Sequence, residues 1–251
     1  MIPTIVVMLA LTIVAAARLL APKISDGRVL FSQSPDLPKS FGYRMAWLAV
    51  RCRDPNTVAS ELHLDDATAC NWDSGIGCVY DNKLGENFVF VTPAVNGWVF
   101  VCGLSLPHPA GPGFADKITP LLVGLGGRFA DVQYYYSYPP IDLFAWARFV
   151  DGRLVRAFAA GDEGVIWSKG KTTREERDLG LKMFELRGVK GRQGDAGGEI
   201  ILHPTEEQVL QLARKWSLDP VTLETVRASP SLGLIATAPI AWRAERLRKA
   251  A

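Results

Sequence analysis

The sequence predicts an α+β fold: a mainly antiparallel sheet with flanking helices, preceded by an N-terminal hydrophobic helix. Strand-like runs follow one another without the regular alternation with helices that is typical of parallel sheets. The dipeptide Asp151-Gly152, which separates two such runs, is a strong hairpin signal. With 48% hydrophobic and 22% charged residues in 251, the composition is that of an ordinary globular protein.

Residues 1–22 are predicted to be a membrane anchor or a signal peptide. Residues 2–17 carry no charge and span about 24 Å as a helix, and continuation to Pro22 approaches the ~30 Å hydrocarbon core of a bilayer. Small residues near Ala17 provide a cleavage pattern for a signal peptide instead. A buried core helix is the third alternative.

The remainder divides into a linker over 23–42, an α+β globular domain over 43–240 and a basic tail over 241–251. The linker is rich in serine, proline, glycine and charge. The tail is expected to be solvated, or to contact anionic lipid. A net charge of +2 is too small to indicate nucleic acid as a partner.

In the first half, residues 44–53 are predicted to be a strand. Asp54-Pro55 then opens a short helix, with aspartate as the cap and proline in the first turn. Residues 88–92 and 98–103 should pair as a hairpin. Together these elements predict a β-α-β-β half.

The second half is predicted to begin with a helix over 114–125 and to continue as a meander of antiparallel strands. Those strands are expected at 131–138, 144–150, 153–159 and 165–168. Thr172-x-x-Glu175 and Thr205-x-x-Gln208 have the form of capping boxes, which predict helices near 173–186 and 205–216. Residues 188–198 should form a loop.

The four cysteines allow several arrangements. Cys70 and Cys78 bracket a turn-rich segment and could form a small disulfide loop, while Cys52 and Cys102 could meet across the sheet. Buried free thiols are the other possibility. No spacing typical of a zinc site is present.

Two segments resemble known motifs but depart from them: one resembles a phosphate-binding P-loop, and the other resembles the nucleophile elbow of serine hydrolases. Residues 164–172 have five residues between the glycines where a P-loop has four. Residues 103–107 place Pro107 where a nucleophile elbow requires its second glycine. We therefore expect Ser105 to lie where the chain leaves an ordinary strand, and not to act as a nucleophile.

Histidines and carboxylates supply no obvious catalytic set. His63, His108 and His203 all lie at helix ends or beside prolines. The pairs Asp162-Glu163 and Glu175-Glu176 fall in turns or first helical turns. We therefore assign no catalytic, cofactor-binding or metal-binding residue, and expect no cofactor.

The aromatic run in 131–138 is the most unusual feature. Alternation in a strand puts Tyr134, Tyr136 and Tyr138 on one face and Tyr135 on the other. Tyrosine combines contact area with a polar tip, as recognition surfaces do. Tyr134, Tyr136, Tyr138, Trp72 and Trp167 are therefore the predicted partner-binding residues, the alternative being that both faces of the sheet are covered and the tyrosine hydroxyls find partners at the rim.

Residues 131–176, followed by 208–220, resemble bacterial immunity proteins that are associated with polymorphic toxins and type VI secretion. The resemblance implies that the chain binds a secreted toxin and blocks its active site. Many such proteins reside in the inner membrane or the periplasm. The family has no fixed motif to map onto this sequence, so no functional residue follows from it.

The sequence thus predicts a protein-binding module of the bacterial cell envelope, in which an immunity protein that binds a cognate toxin is one form. The alternatives are an envelope hydrolase with dispersed acidic or serine residues, and a structural subunit of an envelope complex. The predicted localisation is the inner membrane, with a single pass through residues 2–21, or the periplasm after cleavage near Ala17.

Overall fold

The computed structural model describes residues 29–109, 116–161, 164–181 and 204–242. Its elements belong to a compact unit that begins at Phe31. The strands are β1 (Met45–Val50), β2 (Thr68–Cys70), β3 (Phe88–Val91), β4 (Val99–Cys102), β5 (Asp131–Tyr138), β6 (Leu143–Val150), β7 (Arg153–Gly161), β8 (Gly164–Gly170) and β9 (Gly233–Thr237). The helices are α1 (Pro55–Glu61), α2 (Trp72–Tyr80), α3 (Ile118–Gly126), α4 (Arg174–Asp178) and α5 (Glu206–Trp216), with short 3-10 turns at Pro139–Ile141, Pro220–Thr225 and Ile240–Trp242.

All nine strands form one sheet, in the order β2-β9-β3-β4-β1-β5-β6-β7-β8. Each neighbouring pair is antiparallel. The predicted α+β class with a mainly antiparallel sheet is therefore confirmed. The predicted N-terminal hydrophobic helix lies outside the described residues.

Apolar clusters cover both faces of the sheet. Side chains alternate between the faces along a strand, so Leu48 of β1 belongs to one cluster and Trp47 to the other. Helices α1 and α3 pack on the face of Leu48, which we call the first face. Helices α2 and α5 pack on the second face, that of Trp47. All six residues of β1 are consequently buried.

Local signals in the sequence correctly place two hairpins. The turns between β3 and β4 and between β6 and β7 contain Asn96-Gly97 and Asp151-Gly152, all with positive φ. This backbone conformation matches the twist of antiparallel strands and suits asparagine, aspartate and glycine. The predicted helix caps at Asp54 and Thr205 are also present.

Three helices differ from their predictions. The cap of α4 is Thr173 rather than Thr172, and its reciprocal partner is Glu176. Helix α3 begins at Ile118, and residues 110–115, together with 182–203, lie outside the described residues. Helix α2 occupies a segment predicted as a turn-rich loop, because Gly75 allows this helix to pack closely on Phe90.

Residues 31–42, predicted as part of a linker, pack against the rest of the fold. The Asp36 carboxylate accepts hydrogen bonds from the backbone N–H groups of Trp72 and Asp73, at the start of α2. Phe41 is buried against Trp47 and Phe100 on the second face. This segment is a strap that closes one side of the core.

The predicted membrane localisation requires correction. Within the described ranges, no helix has both the length and the apolar character needed to traverse a bilayer. The 11 residues of α5 span only about 16 Å, compared with the ~30 Å hydrocarbon core. This finding contradicts the assignment as a single-pass inner-membrane protein, which we withdraw. Residues 1–22, which motivated it, lie outside the described residues, as do residues 243–251 of the predicted basic tail.

A buried ion pair ties α4 to the sheet. Arg156 of β7 donates from Nε to Oε1 of Glu176 at 2.8 Å, and both side chains are 1% exposed. Trp146 Nε1 donates to the same oxygen, while Glu176 Oε2 accepts from the backbone N–H of Thr173. The carboxylate is thus both a helix cap and the counter-ion of a buried guanidinium.

We expect Glu176→Gln to lower the free energy of unfolding by about 3 to 5 kcal/mol, because it leaves the Arg156 charge buried without a counter-ion. Urea denaturation followed by circular dichroism measures this change. Arg128→Gln is the matched control, since the Arg128 and Glu61 pair lies at the surface and should contribute little. Equal stabilities of the two variants would contradict the role assigned to Glu176.

Two glycines of α2 should respond in opposite directions to alanine. A Cβ atom at Gly75 would lie 2.3 Å from the buried Phe90 ring, so Gly75→Ala should destabilise the protein by about 1 to 3 kcal/mol. A Cβ atom at Gly77 meets nothing, and Gly77→Ala should stabilise by about 0.5 to 1 kcal/mol through helix propensity. Thermal denaturation of both variants tests the packing of α2, and a stabilising Gly75→Ala would refute it.

Candidate functional site

The tyrosines of β5 do not form an exposed recognition face. Tyr134 and Tyr135 are fully buried, Tyr136 is 8% exposed and Tyr138 is half-buried. Tyr134 Oη donates to the Pro107 carbonyl and Tyr135 Oη to Gln133 Oε1. Burial raises the pKa of Tyr136 to about 12. The predicted alternation between faces is correct, but helices cover both faces.

The two tryptophans predicted as partner-binding residues are also core residues. Trp72 is fully buried at the start of α2, where it makes an edge contact with Phe90. Trp167 is 7% exposed and lies in β8. The P-loop-like segment is therefore an edge strand that continues into the cap of α4.

The structure brings the remaining candidates into no catalytic arrangement within the described ranges. Ser105 Oγ donates to the Phe88 carbonyl at 2.7 Å, as an ordinary strand exit does. His63 lies at the end of α1, whereas His108 is near Tyr136, and burial lowers the pKa of His108. His203 and the pair Asp162-Glu163 lie outside the described residues. Among described residues, no group of three potential ligands could hold a metal ion.

All four cysteines are free thiols, which is one of the arrangements predicted. Burial raises the pKa of Cys70 to about 12 and that of Cys78 to about 11, and it raises the pKa of Cys102 as well. Cys52 is different, because it is half-buried and lines a surface concavity at the end of β1.

That concavity is part of a groove at one end of the sheet, where β1 and β3 end and β4 and β9 begin. Two adjoining hollows of about 640 Å³ and 420 Å³ share Arg53 and Asn96. The first also contains Arg51, and the second contains Arg227. We call this feature the arginine groove. Its other lining residues are Pro38, Cys52, Pro55, Pro93, Ala94, Val95, Gly97, Ala228, Ser229, Ser231 and Leu232.

Arg51 is held in a defined position at one end of the groove. Its guanidinium lies over the Trp98 ring, 5.2 Å from the centroid, and Nη1 donates to the Asn96 carbonyl. A cation on an aromatic face that also donates to a carbonyl retains its charge while its orientation is restricted. The side chains of Arg53 and Arg227 make no ion pair or hydrogen bond with any residue that the structure describes.

No aspartate or glutamate is among the described residues that line the groove. The acidic residues next to it are engaged elsewhere. The Asp54 carboxylate accepts four hydrogen bonds from Asn56 and Thr57, which lower its pKa. Asp131, whose carbonyl accepts from the Arg51 N–H, pairs through its side chain with Arg148. Asp36 caps α2. None of these three carboxylates forms an ion pair with Arg51, Arg53 or Arg227.

Comparisons with models of protein families, with curated proteins and with solved structures find no match for this chain. The resemblance to immunity proteins stays a prediction, and the functional argument depends on the arginine groove itself.

Sequence analysis did not find this groove. One signal was available: Arg51 and Arg53 are two residues apart at the end of a predicted strand, followed at once by a helix start. This spacing does not indicate that either residue lies near Arg227, which precedes β9 and is distant in sequence. Pairing of β9 with β3 is what brings the third arginine to this end of the sheet.

We expect thiol reagents to label the native protein at Cys52 alone among its four cysteines, because thiolate is the reactive species and the other three thiols are buried. Mass spectrometry of tryptic peptides after treatment with iodoacetamide measures this selectivity.

Relative to neutral iodoacetamide, anionic iodoacetate should alkylate Cys52 several-fold faster in the native protein than in the Arg53→Glu variant. The positive charge of Arg53 attracts the anionic reagent. Lys83→Glu, an exposed position before β3 at the opposite end of the sheet, is the control. Labelling of Cys70 or Cys78 at the rate of Cys52 would contradict the structure.

Proposed function

We propose that this protein is a protein-binding module that takes a segment of a partner protein into the arginine groove. The observation that carries the proposal is the concave surface itself, which holds three arginines without a carboxylate among its described lining residues. Arginine is enriched at the energetic centres of protein interfaces. Its guanidinium forms bidentate hydrogen bonds with carboxylates.

The composition of the groove supports a protein partner as the ligand. Half-buried proline, alanine and leucine side chains line the same surface as the arginines, so apolar surface accompanies the charge. Interfaces combine apolar contact with a few oriented polar groups in this way. The surface is formed by connecting segments at strand ends, and such segments carry binding residues in many folds.

The resemblance described above provides a hypothesis for the class of partner. In that hypothesis the partner is a cognate secreted toxin, and occupation of the groove keeps the toxin inactive. Identification of the partner separates this hypothesis from a binding role of another kind.

Site-specific photo-cross-linking in the cells that produce the protein tests the proposal. A benzophenone amino acid at Ser229, an exposed lining residue, should yield a discrete protein adduct. The same group at Lys83 should not yield that adduct, and Arg53→Glu with Arg227→Glu should remove it. Absence of an adduct from Ser229, or identical adducts from both positions, would refute the proposal.

Mass spectrometry of the adduct identifies the captured protein. A toxin whose activity falls on addition of the purified chain agrees with the immunity hypothesis. A partner without toxic activity leaves the binding module in place and excludes that hypothesis.

A further inference from the structure

We infer that the arginine groove recognises an extended acidic segment, in which carboxylates alternate with apolar residues. This inference rests on the proposed function and specifies the chemistry of the partner. It follows from the hydrogen-bonding character of the groove, from the distribution of its arginines over two hollows and from the apolar residues that line it.

The polar groups of the groove are mainly donors. Each guanidinium carries five N–H donors and no acceptor. The side chains of Asn96, Ser229 and Ser231, which also line the groove, carry donors as well. A ligand that satisfies this surface must therefore supply acceptors, and carboxylates supply them with the complementary charge.

The arginines are distributed along the groove instead of being clustered at one point. Arg51 lines one hollow, Arg227 lines the other, and Arg53 lines both. Because Arg51 and Arg227 line different hollows, a chain with repeated carboxylates can pair with the three groups in turn. The ligand is therefore a segment rather than a small acid.

The surface between the charges favours a peptide over a nucleic acid. Pro55, Ala94 and Leu232, which are half-buried, offer aliphatic contact. Nucleic acids bind single-stranded sites by stacking bases on exposed aromatic rings, and the described lining contains no aromatic side chain. Trp98, which supports Arg51, is itself buried.

Two fluorescent peptides test the inference with the full chain. One alternates glutamate with valine and leucine, and the other replaces each glutamate by glutamine. By fluorescence anisotropy at low ionic strength, the glutamate peptide should bind about tenfold or more tightly than its glutamine counterpart, and added salt should weaken it. It should also slow the alkylation of Cys52, which locates binding at the groove.

Variants of the groove arginines test whether the glutamate peptide binds in the groove. Arg53→Glu together with Arg227→Glu should weaken binding of the glutamate peptide by about a hundredfold, at roughly tenfold for each charge. Lys83→Glu makes the same kind of change outside the groove and should bind as the native protein does. Circular dichroism confirms that each variant is folded, which is expected because Arg53 and Arg227 are exposed.

Several results would overturn the inference. Equal affinity for the two peptides would do so, as would tighter binding of a single-stranded oligonucleotide than of the glutamate peptide. If Ser229 still cross-links to a protein while the glutamate peptide shows no preference, the protein-binding function stands and the acidic ligand is excluded. If both experiments fail, the proposed function is excluded as well.

Discussion

The structure depends on the burial of both faces of one antiparallel sheet. β1 lies between β4 and β5, and each of its residues contributes to one of the two apolar clusters. Because the side chains of a strand alternate, a chain that covers only one face would leave half of these residues in water. The strap over 31–42, the helices on each face and the buried Glu176 all serve this requirement. The buried Glu176 carboxylate is paired with Arg156, as burial of a charge demands.

This constraint also bears on the binding that we propose. Since the faces of the sheet are covered, Tyr134, Tyr135 and Tyr136 of β5 are buried. The ends of the strands remain. There, the segments after β1, between β3 and β4 and before β9 meet around a concave surface that carries Arg51, Arg53 and Arg227, and the neighbouring carboxylates cap helices or pair with other side chains. The sheet fixes the positions of the backbone segments that carry these arginines, which lowers the ordering cost of the binding that we propose.

Helix α2 shows why local patterns can be misleading. The residues Asn71, Trp72, Ser74, Gly75 and Gly77 include several that favour turns in isolation, and the segment was predicted as a loop. Asn71 nevertheless caps a helix, and Gly75 permits contact with Phe90 at a distance that any Cβ would prevent. The packing energy of this contact exceeds the weak helix propensity of glycine. A similar effect moves the cap of α4 by one residue, because Glu176 rather than Glu175 reaches Arg156.

Short-range information was sufficient for the fold class, for the turns at Asn96-Gly97 and Asp151-Gly152, and for the caps at Asp54 and Thr205. These features depend on the backbone preferences of one or two residues and on hydrogen bonds within a few positions, so the sequence by itself determined them. Tertiary structure alone decided the burial of Tyr134 and Tyr135 and the assembly of the arginine groove. Alternation assigns a tyrosine to a face but says nothing about what covers that face. Likewise, only the strand order β9-β3-β4-β1 brings Arg227 to the arginines that follow β1.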